Sequence, residues 1–190
     1  SLYSHQGLTY GGLIMSKKVK ARMILDVMDT LVDYCRSKGF QKLVYKSIPS
    51  IYHQLPADED SYALFRQKAV LFRRDLSSSI YLDAPFSISK GKLEHKKNKD
   101  LDRYMIQQLT QSDSFFVTMN DVLNHKYDVN STHTSTEMDY LMRCFPENIR
   151  LFSISENKTC LAGAIIYITD TCVHVQYMAA NPKGQKLQLL

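Results

Sequence analysis

The sequence has few of the residues that mark special structural classes. Seven glycines and five prolines in 190 residues exclude a collagen-like chain, and four cysteines exclude a disulfide-dense scaffold. The longest apolar run, Leu161 to Ile168, falls far short of the roughly 20 residues that cross a bilayer as a helix, so no membrane span is expected. No apolar h-region stands near the N-terminus, and a cytoplasmic protein is the expectation. There is no HExxH, no CxxC and no paired short histidine motif. His5, His53, His95 and His125 lack ligand spacing, so no metal is expected. P-loop, GxSxG and GxGxxG signatures are missing too. Cys35, Cys144, Cys160 and Cys172 have long, irregular gaps that suit reduced thiols; only Cys160 and Cys172, on neighbouring predicted strands, form a pair that could approach.

What is present is an ordinary globular mixture, 44% hydrophobic and 23% charged, long enough for one domain or two small ones. The net charge of +5 is uneven. Residues 1–56 carry 8 basic and 3 acidic side chains, and residues 84–109 carry 6 and 3, whereas 57–83 and 110–190 are slightly acidic.

Periodicity gives the element order. Leu8 to Met15 reads as a short strand broken at Gly11-Gly12. Ala21, Ile24, Leu25, Met28, Leu31, Val32 and Cys35 follow a helical period, and Gly39 marks its end. Lys42 to Ile48 reads as a strand stopped by Pro49, which makes a strand–helix–strand crossover. Asp58-Glu59-Asp60 opens a helix with Tyr62, Phe65, Ala69 and Phe72 as its stripe, and Val70 to Asp75 and Ser79 to Leu82 read as further strand. Lysines 90, 92, 96, 97 and 99 fall on a predicted exposed helix. Tyr104 to Leu109 follows as a strand. Ser112 then caps a helix with Phe115, Phe116, Met119, Val122 and Leu123 inward. Thr134-x-x-Glu137 is a capping box before a helix with Met138, Leu141, Met142 and Phe145 inward, and His133 before it is expected in solvent. Ile149 to Ser155, Cys160 to Thr169 and Cys172 to Ala180, joined by short turns, form an antiparallel meander. A loop, Asn181-Pro182-Lys183-Gly184-Gln185-Lys186, and the start of a helix follow. The fold class is therefore α/β (α+β), a mixed sheet with an antiparallel meander flanked by helices.

The order in the second half resembles the GNAT acyltransferase fold. There two helices follow the first strand, a meander follows them, and the fourth strand runs into a loop and helix that hold the pyrophosphate of acyl-CoA. On that resemblance Val173-His174-Val175-Gln176-Tyr177 is the fourth strand. Asn181, Lys183, Gly184, Gln185 and Lys186 form the donor loop, where backbone N–H groups at a helix N-terminus attract phosphate. The usual loop has two glycines separated by one residue, and this chain has Gly184 alone. Four further segments, Gly7 to Leu13, Lys46 to Tyr52, Phe145 to Ile149 and Gln176 to Asn181, resemble FemAB-like proteins, which carry two GNAT-like modules in tandem. The resemblance implies that 1–83 is the C-terminal half of a first module and 84–190 the N-terminal half of a second, in a fragment of a longer, bacterial-type protein. The two halves are expected to stand apart or to pack as one permuted domain.

The implied activity is transfer of an acyl or aminoacyl group from acyl-CoA or an aminoacyl donor to an amine, on a small molecule or a cell-envelope precursor. Such catalysis rests on orientation and on backbone N–H groups that polarise the carbonyl, with no obligatory nucleophile. His174, Gln176 and Tyr177 are the candidate catalytic residues, with Tyr177 as general acid, set against structural roles for each. Tyr10, Gly11 and Gly12 either close around the cofactor or form a bulge. Two other readings stay open. One is a non-catalytic binding module of the same fold, favoured by the single loop glycine. The other is an anionic-polymer binder, tRNA for example, through Lys92, Lys96 and Lys97, although no aromatic residue interleaves Lys90 to Lys99. Unpaired strand edges would allow a homodimer.

Overall fold

A computed structural model describes residues 1–5, 8–81, 90 and 104–190. Lys92, Lys96 and Lys97, the rest of their lysine-rich stretch apart from Lys90, and the expected junction at residues 83 and 84 lie outside the described residues. The chain is mixed α/β and divides into two compact units, Ser1–Leu76 with Asp170–Cys172, and Ser77–Thr169 with Val173–Leu190.

In the first unit, β1 (Leu2–Tyr3) pairs in parallel with β2 (Leu43–Val44), and α1 (Ala21–Ser37) connects them. The expected crossover is therefore present, with its first strand earlier in the chain than the apolar run suggested. Leu8 to Met15 makes no ladder. Gly11 donates to the Lys46 carbonyl, but Leu13 donates to the Tyr45 hydroxyl instead of to a strand backbone. Gly12 also packs so tightly that a β-carbon there would lie 3.1 Å from that hydroxyl. The buried face of α1, Ile24 and Met28, meets Ala63 of α2 (Glu59–Arg66). Gly39, at φ +73°, ends α1 in the left-handed region that glycine tolerates.

The stripe expected on α2 is rotated. Tyr62 and Phe65 are exposed, and Asp60 with Ala63 turns inward. The reason is polar: the Tyr45 hydroxyl donates to buried Asp60 at 2.8 Å while accepting from the Leu13 N–H at 2.7 Å. Burial, with Asp60 beside it, raises the Tyr45 pKa. The helix stops at Arg66, and Val70 to Tyr81 forms no strand; Val70, Leu71, Phe72, Leu76, Ile80 and Tyr81 are exposed. Branched and aromatic composition alone does not make a strand without a partner edge to pair with.

The second unit holds an antiparallel sheet of order β3-β4-β5-β6, formed by β3 (Gln107–Leu109), β4 (Ile149–Glu156), β5 (Thr159–Ile168) and β6 (Val173–Ala180). Between β3 and β4 come α3 (Asp113–Tyr127) and α4 (Ser135–Cys144), and α5 (Pro182–Lys186) follows β6. Asn157 and Lys158, both at positive φ, make the two-residue turn between β4 and β5, the backbone state that matches strand twist. Alternation on the strands turns Leu151 and Ile165 toward the helices, where they are fully buried with Phe115 and Met138. Gly163 clears the Phe115 ring: a β-carbon would sit 2.7 Å from Cδ2.

The capping box at α4 is complete, with Thr134 accepting from the Glu137 N–H and Glu137 accepting from the Thr134 N–H. Those bonds hold the Glu137 pKa below the usual carboxylate value. Ser112 stands at the N-cap of α3, but its hydroxyl does not cap. It donates to Asp139 at 2.6 Å and so ties α3 to α4 at a fully buried position. All four cysteines are free. No helix among the described residues is long and apolar enough to cross a membrane, and no cluster of His, Cys, Asp and Glu among them could hold a metal.

Candidate functional site

The sheet has two one-residue register shifts, one on β5 at Leu161 and one on β6. Ile165 pairs with Tyr177 and Ile166 with Val175, so Gln176 has no counterpart on β5. An extra residue on one strand is a β-bulge, which takes one backbone unit out of the ladder and reverses the side-chain alternation beyond it. Strict alternation would put His174 and Gln176 on one face and Tyr177 on the other. With the bulge, His174 pairs with Tyr167 and Tyr177 with Ile165, so both candidates share the helix-facing side.

Beside the bulge lies a cavity of about 360 Å3 bounded by Met119, Val122 and Leu123 of α3, the loop from Val129 to Thr132, and Gln176 to Ala179 of β6. Its walls are mostly apolar. The polar groups come from Asn130, Ser131 and Thr132 and from the bulge. The loop is held in shape by the Asn120 side chain, which accepts from the Ser131 N–H at 2.9 Å, and by the Ser131 hydroxyl, which donates to the His133 carbonyl at 2.7 Å.

Tyr177 is the best-positioned reactive group. Its ring packs edge-on against Phe116, with centroids 6.0 Å apart, and its hydroxyl lies 2.5 Å from Nδ1 of His133. His133 is therefore half-buried against Tyr177 rather than in solvent. Sequence reasoning missed this partner because the two residues are 44 apart and meet only through the loop ahead of α4. Tyr167, across the sheet from His174 (ring centroids 6.4 Å apart), has a buried hydroxyl with no hydrogen-bond partner. Burial first, and the nearby Tyr177 second, push its pKa up to about 12. Two ring pairs, His133 with Tyr177 and Tyr167 with His174, thus involve residues of this face of the sheet.

The loop after β6 lies against the start of β5, at Cys160 and Leu161. Asn181 caps α5 by accepting from the Gly184 N–H at 2.8 Å, and its amide donates to the Cys160 carbonyl at 3.0 Å. Gly184 is buried against β5, and a β-carbon there would lie 2.1 Å from the Leu161 carbonyl oxygen. Gln185 uses its side chain on the Ala180 carbonyl, Lys183 pairs with Glu156, and Lys186 closes the last turn. Pro182 has no N–H, and the N–H groups of Gly184 and Gln185 both go to Asn181, one to its side chain and one to its carbonyl. Few donors are left for a phosphate.

Tyr10, Gly11 and Gly12 belong to the first unit. The Tyr10 ring packs on Tyr52 with centroids 5.3 Å apart. Gly11 is tight against His5, where a β-carbon would lie 2.4 Å from Cβ. In the second unit Gln176 and Tyr177 line the cavity, His133 meets the Tyr177 hydroxyl, and His174 lies further along the same strand. No family model, no curated protein and no solved structure matches this chain.

Proposed function

We propose that the second unit is an N-acyltransferase module of GNAT type, and that the β6 bulge with its adjoining cavity is the transfer site. The observation that carries this reading is the coincidence at Gln176 and Tyr177 of a bulge, a cavity and a hydrogen-bonded tyrosine–histidine pair. The element order of β3, α3, α4, the meander and α5 supports it.

The chemistry follows from those parts. A backbone N–H released from a ladder is a fixed donor that can stabilise the oxyanion formed when an amine attacks a thioester carbonyl. The C–N bond forms, the C–S bond breaks, and the departing thiolate takes the Tyr177 proton. The proton lost by the amine passes through His133 to restore the tyrosine. The same residues would serve an aminoacyl ester donor, with an alkoxide leaving in place of the thiolate.

Calorimetric titration with acetyl-CoA, followed by mass spectrometry of a panel of primary amines, tests the proposal. Tyr177→Phe is expected to lower kcat by about 10²–10⁴-fold with KM little changed. Absence of both heat and thermal shift with acetyl-CoA would reject the acyl-CoA donor.

A second reading has its own observation. Asn181 uses the N–H groups of Gly184 and Gln185, and Pro182 supplies none, so the loop offers a poor phosphate cradle. A binding module of the same fold that has lost its donor site is consistent with that. It predicts ligand-induced shifts at the β6 cavity without any transfer.

A further inference from the structure

The cavity beside the β6 bulge has a lining without formal charge. Among the described residues that bound it, none is an Asp, Glu, Lys, Arg or His. The concavity of the first unit is different, for Lys17, His53 and Glu59 belong to its lining. On α3 the spacing i, i+3, i+4 puts Met119, Val122 and Leu123 on one helix face, which makes one apolar wall of the β6 cavity. Val129 extends the apolar lining, and the polar lining residues of the loop and the bulge are all neutral.

Size and charge together select the occupant. A dry cavity of about 150 Å3 takes a benzene ring, so the space of about 360 Å3 here has room for a chain of about eight carbons. An acetyl group would leave most of it to water. A transfer site receives two partners, and they differ in charge. A primary amine, with an ordinary pKa of about 10.4, arrives as an ammonium ion. Such an ion loses its hydration in an apolar cavity and needs a carboxylate to offset that loss, which the described lining does not supply. The acyl chain of a thioester is uncharged, and each of its methylenes gains by leaving water. A thioester also has the division of this lining, an apolar body with a neutral polar end.

Resting on the transfer reading of the second unit, we infer that the β6 cavity holds the acyl chain of the donor, a medium-length aliphatic chain of about eight carbons, with the ammonium-bearing acceptor outside it.

The experiment titrates the whole protein calorimetrically with the N-acetylcysteamine thioesters of acetic and octanoic acid and with octylammonium chloride. These thioesters carry no phosphate, so the loop after β6 does not enter the reading. The octanoyl thioester is expected to bind at least tenfold more tightly than the acetyl thioester and than octylammonium. Val122→Asp, checked for an unchanged circular dichroism spectrum and melt, is expected to weaken the octanoyl thioester about tenfold. If that variant does not fold, 13C-methyl spectra of the wild-type methionines give the reading: the Met119 resonance moves with the octanoyl thioester and stays with octylammonium. Equal binding of the two thioesters, no binding of either, octylammonium as tight as the octanoyl thioester, unchanged affinity in a folded Val122→Asp protein, or an unmoved Met119 resonance would each overturn the inference. The two readings fail separately. Tight octanoyl binding without amide formation from any amine sinks the transfer reading and leaves the chain site, whereas acetyl and octanoyl transfer at equal kcat/KM leaves the transfer reading and sinks the chain site.

Discussion

The Tyr167 hydroxyl is buried beside Ile165 and the helices without a hydrogen-bond partner, a position that a phenylalanine would fill at no polar cost. Tyr167→Phe is therefore expected to leave the fold intact and to stabilise it by about 1 kcal/mol at neutral pH, because an unsatisfied buried hydroxyl is removed. The pH dependence has a definite sign. The folded-state pKa, about 12, lies above the ordinary 10.0, so between those values the folded state holds a proton that the unfolded state has lost. That contribution is full below pH 10 and disappears as pH rises through 12. Urea midpoints measured from pH 8 to 11 should fall less steeply for Tyr167→Phe than for the wild type; parallel slopes would refute the assignment. At this scale the sequence was only partly legible. Tyr177 and His174 could be picked out because they sit on a strand with a marked alternation. The bulge at Gln176 could not, since no residue type announces it, and His133 met Tyr177 only after the loop from Val129 to Thr132 had been placed.

Elements with a strong period or a local chemical signal were readable. α1, the α4 capping box and the three meander strands fall within a residue or two of expectation, since each rests on spacing inside its own segment. Elements that depend on a distant edge were not. Val70 to Tyr81 has strand composition and no ladder, and Leu8 to Met15 is held by a tyrosine hydroxyl 32 residues away. Gly184 shows how a motif and a packing constraint can share one residue. Read as the glycine of a phosphate loop, it sits where α5 presses on β5, and any β-carbon would meet the Leu161 carbonyl. Gly184→Ala is expected to destabilise the protein by about 1–3 kcal/mol, the usual range for overpacking, through displacement of α5 from β5. Chemical denaturation checks this. A neutral substitution would mean that α5 can lift away freely, and would return Gly184 to a role in ligand approach.

At the scale of the whole chain, length and composition suggested one domain or two small ones, whereas element order suggested two half-modules. The described residues form two units, and β1 pairs with β2 rather than with the meander. Among the described residues, the core of the second unit, from Phe115 to Ala179, draws on residues from β3 to the end of β6. Only Asp170–Cys172, the turn between β5 and β6, is grouped with the first unit. A unit that buries its own apolar faces has the usual requirement for independent folding. Residues 104–190 expressed alone are therefore expected to give a mixed α/β circular dichroism spectrum and a single cooperative melt. A non-cooperative melt would show that the meander needs residues 1–81 to complete its core. In that case the division at Leu76 would describe how the chain clusters, not how it folds.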